Sequence, residues 1–222
     1  MPGVQTRFPF IAIALLLLTV AVCFTGNDPI FSKEFLNRIR DRYGDRTMTR
    51  VMEWEKLMRI FSDQTERIKL ERVNEFFNRM ANVADSANWG QRDYWATPVE
   101  LLAVAGGDCE DFAIAKYFSL KMMAVPEDRL RLTYVRAYAG GTSLTIVPHL
   151  VLVYYPDPEA EPLVLDNLIP EIKPASARSD LVPTYSFNAN GLWQARERNR
   201  GVRIGGPDHI YKWQDLLKRM QE

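Results

Sequence analysis

The chain has 222 residues, with 28 basic and 28 acidic side chains, no formal net charge, 47% hydrophobic residues and 25% charged ones. That length and composition suit a single globular domain with its own core. The even charge balance excludes the basic footprint of a nucleic-acid-binding protein and any general attraction to anionic membranes, so partners are to be sought in local sites.

The first element is a targeting segment. Arg7 precedes FPFIAIALLLLTVAVCF, an uncharged run from Phe8 to Phe24. The run is long for the core of a signal peptide and short for a bilayer span. Export is therefore expected, with residues 1–26 open between a signal peptide and an N-terminal membrane anchor. A lipoprotein reading of VAVC puts the bulky Val22 where such signals carry a small residue. Cys23 lies inside this segment, which leaves Cys109 as the single cysteine of the body, residues 27–222, and excludes an intramolecular disulfide there.

From Asn27 to about Val83 apolar residues recur at helical spacing: Phe35, Leu36 and Ile39, then Val51, Trp54, Leu57, Met58 and Phe61, then Val73, Phe76, Phe77 and Met80. These stripes predict helices packed on a core. ADSANWGQRDYWAT reads as an irregular, aromatic-rich loop. Thr97-Pro98-Val99-Glu100 has the capping-box pattern with proline at the first helical position, and Gly106 and Gly107 are expected to end the short helix LLAVA. A second helix follows, with Asp108 as N-cap, Cys109 at N1 and Asp111 at N3, and the run FAIAKYFSLKMMA is expected to bury one face.

Beyond Pro126 the pattern turns to strands: LRLTYVRAYA, a turn at Gly140-Gly141, SLTIVPHLVLVYY, a PDPEAEP turn and PLVLDNLI. Helices followed by an antiparallel meander predict an α+β layer arrangement with the Cys109 helix on the sheet. The stretch from YSFNANGLW to KWQDLLKRMQE is expected to add one or two strands and a terminal helix.

A thiol at the first turn of a helix meets unpaired N–H groups and the positive end of the macrodipole, which favour thiolate, whereas burial and adjacent carboxylates oppose it. Taken alone, such a cysteine is more often a small core residue. The chain has two histidines, and His149 opens the strand HLVLVYY while Asp166 closes PLVLD. A hairpin folded about Asp157-Pro158 sets residues 149 and 166 opposite each other, and a turn centred at Glu159 shifts the register. An imidazole between a helix-terminal thiol and a carboxylate is the arrangement of nucleophilic catalysis. The backbone N–H of Cys109 is the natural first oxyanion donor, with the Trp95 indole as a candidate second.

GDCEDFAIAKY, RLTYVRA, PHLVLVYY followed by LVLDNL, and the weaker NANGLW and W-x-x-LL elements resemble the bacterial transglutaminase-like cysteine proteases of the periplasmic LapG type. The resemblance spans roughly residues 30 to 220. It implies a papain/transglutaminase-like core, a triad of Cys109, His149 and Asp166, and calcium held by the acidic residues that flank the cysteine: Asp108 and Glu110, with Asp111 a weaker candidate. Calcium takes several oxygen ligands, and a bound dication reverses the electrostatics around the thiol. The alternative for Asp108 and Asp111 is a cap and dipole role, with Glu110 solvated. The resemblance further implies cleavage of the N-terminal retention region of a large repeat-containing surface adhesin, and sequestration by an inner-membrane cyclic di-GMP receptor, so that proteolysis releases biofilm. A transglutaminase-type acyltransferase and a catalytically silent binding module share the fold and stay open.

Overall fold

The computed structural model describes residues 29–138, 145–196 and 199–221. The export segment expected in residues 1–26 and the turn expected at Gly140-Gly141 lie outside them. Among the described residues no helix is long and apolar enough to cross a membrane.

The helical stretch divides into α1 (Lys33–Tyr43), α2 (Asp45–Ile60) and α3 (Glu66–Asn78). Ser32 Oγ caps α1 by accepting the Phe35 N–H at 3.1 Å. Gly44 joins α1 to α2 at φ 84°, a conformation only glycine takes without strain. The periodic positions Val51, Trp54, Met58, Leu70, Val73 and Phe77 all lie in the core.

After α3 come a short strand β1 (Ala81–Asn82), one turn of helix α4 (Asp85–Asn88) and then α5 (Pro98–Val104). The Thr97–Glu100 capping box forms in both directions, at 3.2 and 2.8 Å. The expected glycine stop of α5 is corrected. Ala105 ends the helix in the left-handed region at φ 55°, and Gly106 and Gly107 form β2, paired in parallel with β1. What demands glycine here is close approach: a Cβ on Gly107 would lie 2.8 Å from Leu101 Cδ1, and one on Gly106 2.8 Å from the Ala81 carbonyl.

Helix α6 (Cys109–Met122) starts where the sequence predicts, on Asp108 as N-cap. Its expected single buried face is a second correction, since every residue from Asp111 to Leu120 is buried. α6 is the central helix, with α3 and α5 on one side and the sheet on the other. An enclosed helix does not need a polar stripe. The polar residues it does carry find partners: Ser119 Oγ accepts the Trp54 indole N–H at 2.8 Å and donates to the Ala115 carbonyl at 2.6 Å.

The strands are β3 (Leu130–Tyr138), β4 (Ile146–Tyr154), β5 (Leu163–Leu165), β6 (Lys173–Pro174), β7 (Leu181–Asn188), β8 (Gly191–Arg196) and β9 (Asn199–Gly205), and the chain ends in α7 (Tyr211–Arg219). They form one antiparallel sheet in the order β6-β5-β4-β3-β7-β8-β9. The stretch expected to add one or two strands contains three, β7, β8 and β9. Leu130, Leu132, Leu150, Leu152, Tyr154 and Leu165 join the main core with α6, each contributing about 1.5–3 kcal/mol by burial. The alternate residues Val135, Val151, Val153, Tyr155 and Val164 form a second, smaller cluster. Trp213 anchors α7 on this core, stacked on Phe118 with centroids 5.6 Å apart.

Candidate active site

Hairpin register decides where His149 and Asp166 stand. Leu152 pairs with Leu165 and Tyr154 with Leu163, so neither register expected from the sequence holds, and residue 149 is not directly opposite 166. The two meet on a diagonal. His149 and Asp166 fall on the same face of the hairpin by alternation, and His149 Nε2 lies 2.7 Å from Asp166 Oδ1. β5 stops at Leu165 because the next carbonyl, that of Asp166, is taken by Asn78 Nδ2 of α3 at 2.8 Å and by Lys116 Nζ of α6 at 3.1 Å. Asp166 is thereby drawn out of the ladder and under the imidazole.

Asp166 is 1% exposed and His149 5%. Burial by itself would raise the Asp166 pKa. Hydrogen bonds from His149, the Leu168 N–H and Arg178 overcome it and hold the carboxyl well below the usual range. The carboxylate is thus ionised at neutral pH. With Nε2 committed to Asp166, Nδ1 is the imidazole nitrogen left for a proton exchange.

Cys109 is half-buried at the start of α6. The backbone amide of Leu150, the residue after His149, acts on its sulfur in the direction that favours thiolate. The thiol itself donates to Glu110 Oε2 at 2.7 Å. The described hydrogen bonds thus bring His149 and Asp166 together and set Cys109 beside the same strand, but they join the thiol to Glu110 and not to the imidazole. Burial first, then the charge and hydrogen bond of Glu110, push the thiol pKa far up. The carboxylates around GDCED are, as the sequence suggests, hostile to a thiolate.

Asp85, Asp108 and Asp111 each offer an oxygen within 4.8 Å of the others. Asp85, at the start of α4, was not singled out in the sequence, where it is one more acidic residue in a loop; its fourteen-residue neighbourhood carries aromatics rather than a ligand pattern. Glu110 is not one of this trio but lies beside it, against Asp108 and the Cys109 thiol. Asp85 Oδ2 accepts the Tyr94 N–H, Asp111 Oδ1 accepts the Ala96 N–H at 2.7 Å, and Asp111 Oδ2 accepts the Asp108 N–H at 3.3 Å. Asp85 Oδ1 and Asp108 Oδ1 are buried without a partner among the described residues. Burial, then repulsion from Glu110, Asp111 and Asp85, raises the Asp108 pKa to about 9. Burial likewise lifts Asp111 to about 7 against the pull of the Ala96 amide. Converging carboxylates with orphaned buried oxygens fit an oxygen-loving dication, whose charge would replace those protons.

The same amide bonds tie the cluster to Trp95. That residue is 2% exposed, lies flat against Phe187 with centroids 5.7 Å apart, and has an indole N–H without a partner among the described residues. With Tyr134 and Tyr185 it lines an open groove of about 600 Å³.

Comparison with known proteins adds the family. Residues 43–199 match the bacterial transglutaminase-like cysteine proteinases. Among solved structures, Legionella pneumophila LapG in an EGTA-treated form is 42% identical, with a TM-score of 0.73 over 87% of this chain and 100% of that one. A calcium-bound form of the same protein is 42% identical, with a TM-score of 0.70 over 86% and 99%. No curated protein matches the chain by sequence. The family match covers most of the chain, and with identity of this order over the full length of a solved relative it makes the chain a cysteine protease, a member of the bacterial transglutaminase-like cysteine proteinase family.

Proposed function

We propose that the protein is a calcium-dependent endopeptidase exported to the periplasm, working through Cys109, His149 and Asp166. The observation behind this reading is the convergence on β4: an imidazole hydrogen-bonded to a buried, ionised aspartate at 2.7 Å, on the strand against which α6 packs, the helix whose first residue is the one thiol of the body. His149 Nδ1 takes the proton of Cys109 once the thiol turns away from Glu110. The sulfur adds to the scissile carbonyl and the C–N bond breaks as the imidazolium returns its proton to the leaving amine. Water, deprotonated by the same imidazole, then releases the acyl group from sulfur. The Cys109 backbone N–H and the Trp95 indole N–H are the candidate donors to the oxyanion. Asp166 holds the imidazole by Nε2 throughout.

Asp85, Asp108 and Asp111 are the groups placed to hold calcium, with Glu110 in reach of both roles as the thiol's partner. A dication bound there supplies positive charge against the carboxylates that keep the thiol protonated. The family points to a protein substrate, and we assign it as the N-terminal retention region of a large repeat-containing surface adhesin, with a cyclic di-GMP receptor of the inner membrane as the sequestering partner. The test is incubation of the protein with such an adhesin fragment in calcium or in chelator, beside Cys109→Ser. Cleavage that needs both calcium and Cys109 is expected. Amine incorporation without cleavage would instead assign an acyltransferase, and cleavage by Cys109→Ser would remove the triad.

A further inference from the structure

Arg178 stands at the far side of the proposed triad and was not singled out by the sequence. It follows a short 3₁₀ turn, Ala175–Ala177, just before β7, and is 4% exposed. Its Nη2 donates to Asp166 Oδ2 at 2.7 Å, on the opposite oxygen from His149. The same Nη2 donates to Asp180 Oδ2 at 2.7 Å, and Nε to Asp180 Oδ1 at 2.9 Å, so that Asp180 grips the guanidinium from the half-exposed side. Asp180, Arg178, Asp166 and His149 therefore form one line of groups with alternating charge, running from the surface to the imidazole.

We infer that Arg178 is a positioning residue for the protease reaction: it fixes the Asp166 carboxylate so that Oδ1 faces His149, and its charge, moderated by Asp180, sets how strongly Asp166 holds an imidazolium. The inference rests on the triad reading above. A carboxylate with a free second oxygen can rotate or turn to solvent; one gripped on both oxygens cannot. The guanidinium also offsets part of the aspartate's charge, which would otherwise act in full on the imidazole through a poorly screened interior. Among the described residues Lys116 from α6 faces this line, with its Nζ on the Asp166 carbonyl, while Cys109 and Glu110 sit at the head of the same helix. β3 presents only Val135 opposite His149.

The test uses the fact that the chain has two histidines, His149 and His209. In isotope-labelled full-length protein the imidazole of His149 is titrated by NMR with His209 as internal reference, alongside kcat and KM for a peptide substrate. In Arg178→Met the midpoint of His149 is expected to rise by about one unit or more, with kcat down at least tenfold and KM little changed; Arg178→Lys recovers part of kcat. In Asp180→Asn the midpoint is expected to move the other way, downward, because the guanidinium then acts on Asp166 undiluted. Opposite signs from two neighbouring substitutions are not produced by a loss of packing. Removing one member of a buried pair is destabilising, so if Arg178→Met does not fold, Asp180→Asn with Arg178→Lys carries the test. An unmoved His149 midpoint with kcat within twofold of the parent in the folded variants overturns the inference. Asp166→Asn, measured in parallel, separates the two failures: if it too keeps full kcat, the triad reading is what has failed.

Discussion

At the scale of single residues the protein's problem is to ionise a thiol in acidic company. Cys109 has a helix N-terminus and the Leu150 amide in its favour, and burial and Glu110 against it, and the second pair prevails. A dication on the neighbouring carboxylates shifts that balance. The rate of alkylation of Cys109 at fixed pH is therefore expected to be at least tenfold higher in calcium than in chelator, read by mass spectrometry of the labelled peptide so that Cys23 is scored separately. Equal rates would mean that the carboxylates do not gate the sulfur. Cysteine, histidine and aspartate were legible as candidates from residue type and placement alone. Asp85 and Arg178 were not, because an acidic residue in a loop and an arginine before a strand carry no signal until distant segments approach them.

At the scale of elements, α6 does two jobs. Its N-cap and first turn hold the proposed nucleophile and two of the clustered carboxylates, and its middle, at Lys116, holds Asp166 by the backbone. Lys116 is 1% exposed, and burial brings its pKa from 10.5 down to about 7, with Asp166 opposing. Between those two values folding expels a proton. The cost of burying the ammonium is thus full below about pH 7 and fades as the pH rises toward the unfolded value. Lys116→Met should raise Tm by more at pH 6 than at pH 9 in thermal melts, and an equal or larger gain at pH 9 would contradict the assignment. The 84–96 segment is the other element to test, since Asp85 joins the carboxylate cluster while its second oxygen holds the Tyr94 amide. Wild-type protein is expected to gain about 2.7 kcal/mol of stability at a hundredfold excess of calcium over Kd, read as a rise in Tm. Asp85→Asn should lose most of that gain; if it keeps it, Asp85 is a structural cap only.

At the scale of the whole molecule the C-terminus closes onto the site. Arg219 of α7 donates to the Trp95 carbonyl at 2.6 Å, to Glu100 Oε2 at 2.6 Å and to the Tyr94 hydroxyl at 2.8 Å, so that residues 94–96 are held by α7 on one side and by Asp85 and Asp111 on the other. Arg219→Ala should cost about 3 kcal/mol in chemical denaturation, as breaking a mostly buried ion pair does, and should lower kcat through the Trp95 loop. A variant with reduced stability and unchanged kcat would detach the loop from catalysis. The sequence by itself determined the layer order, the caps at Thr97 and Asp108, the strands β3 and β4 and the place of Cys109 at N1, because capping and periodicity are local and each residue's neighbours in the chain suffice to express them. Only the tertiary structure decided that α6 is enclosed, that the β4–β5 register sets His149 and Asp166 on a diagonal, and that Arg178 reaches Asp166, Arg219 reaches Trp95 and Asp85 joins Asp108 and Asp111. Those outcomes depend on which segments, 12 to 125 residues apart, pack together, and on side chains such as Asn78 and Lys116 that pull one carbonyl out of a ladder. Contacts of that range leave no periodic trace in the chain.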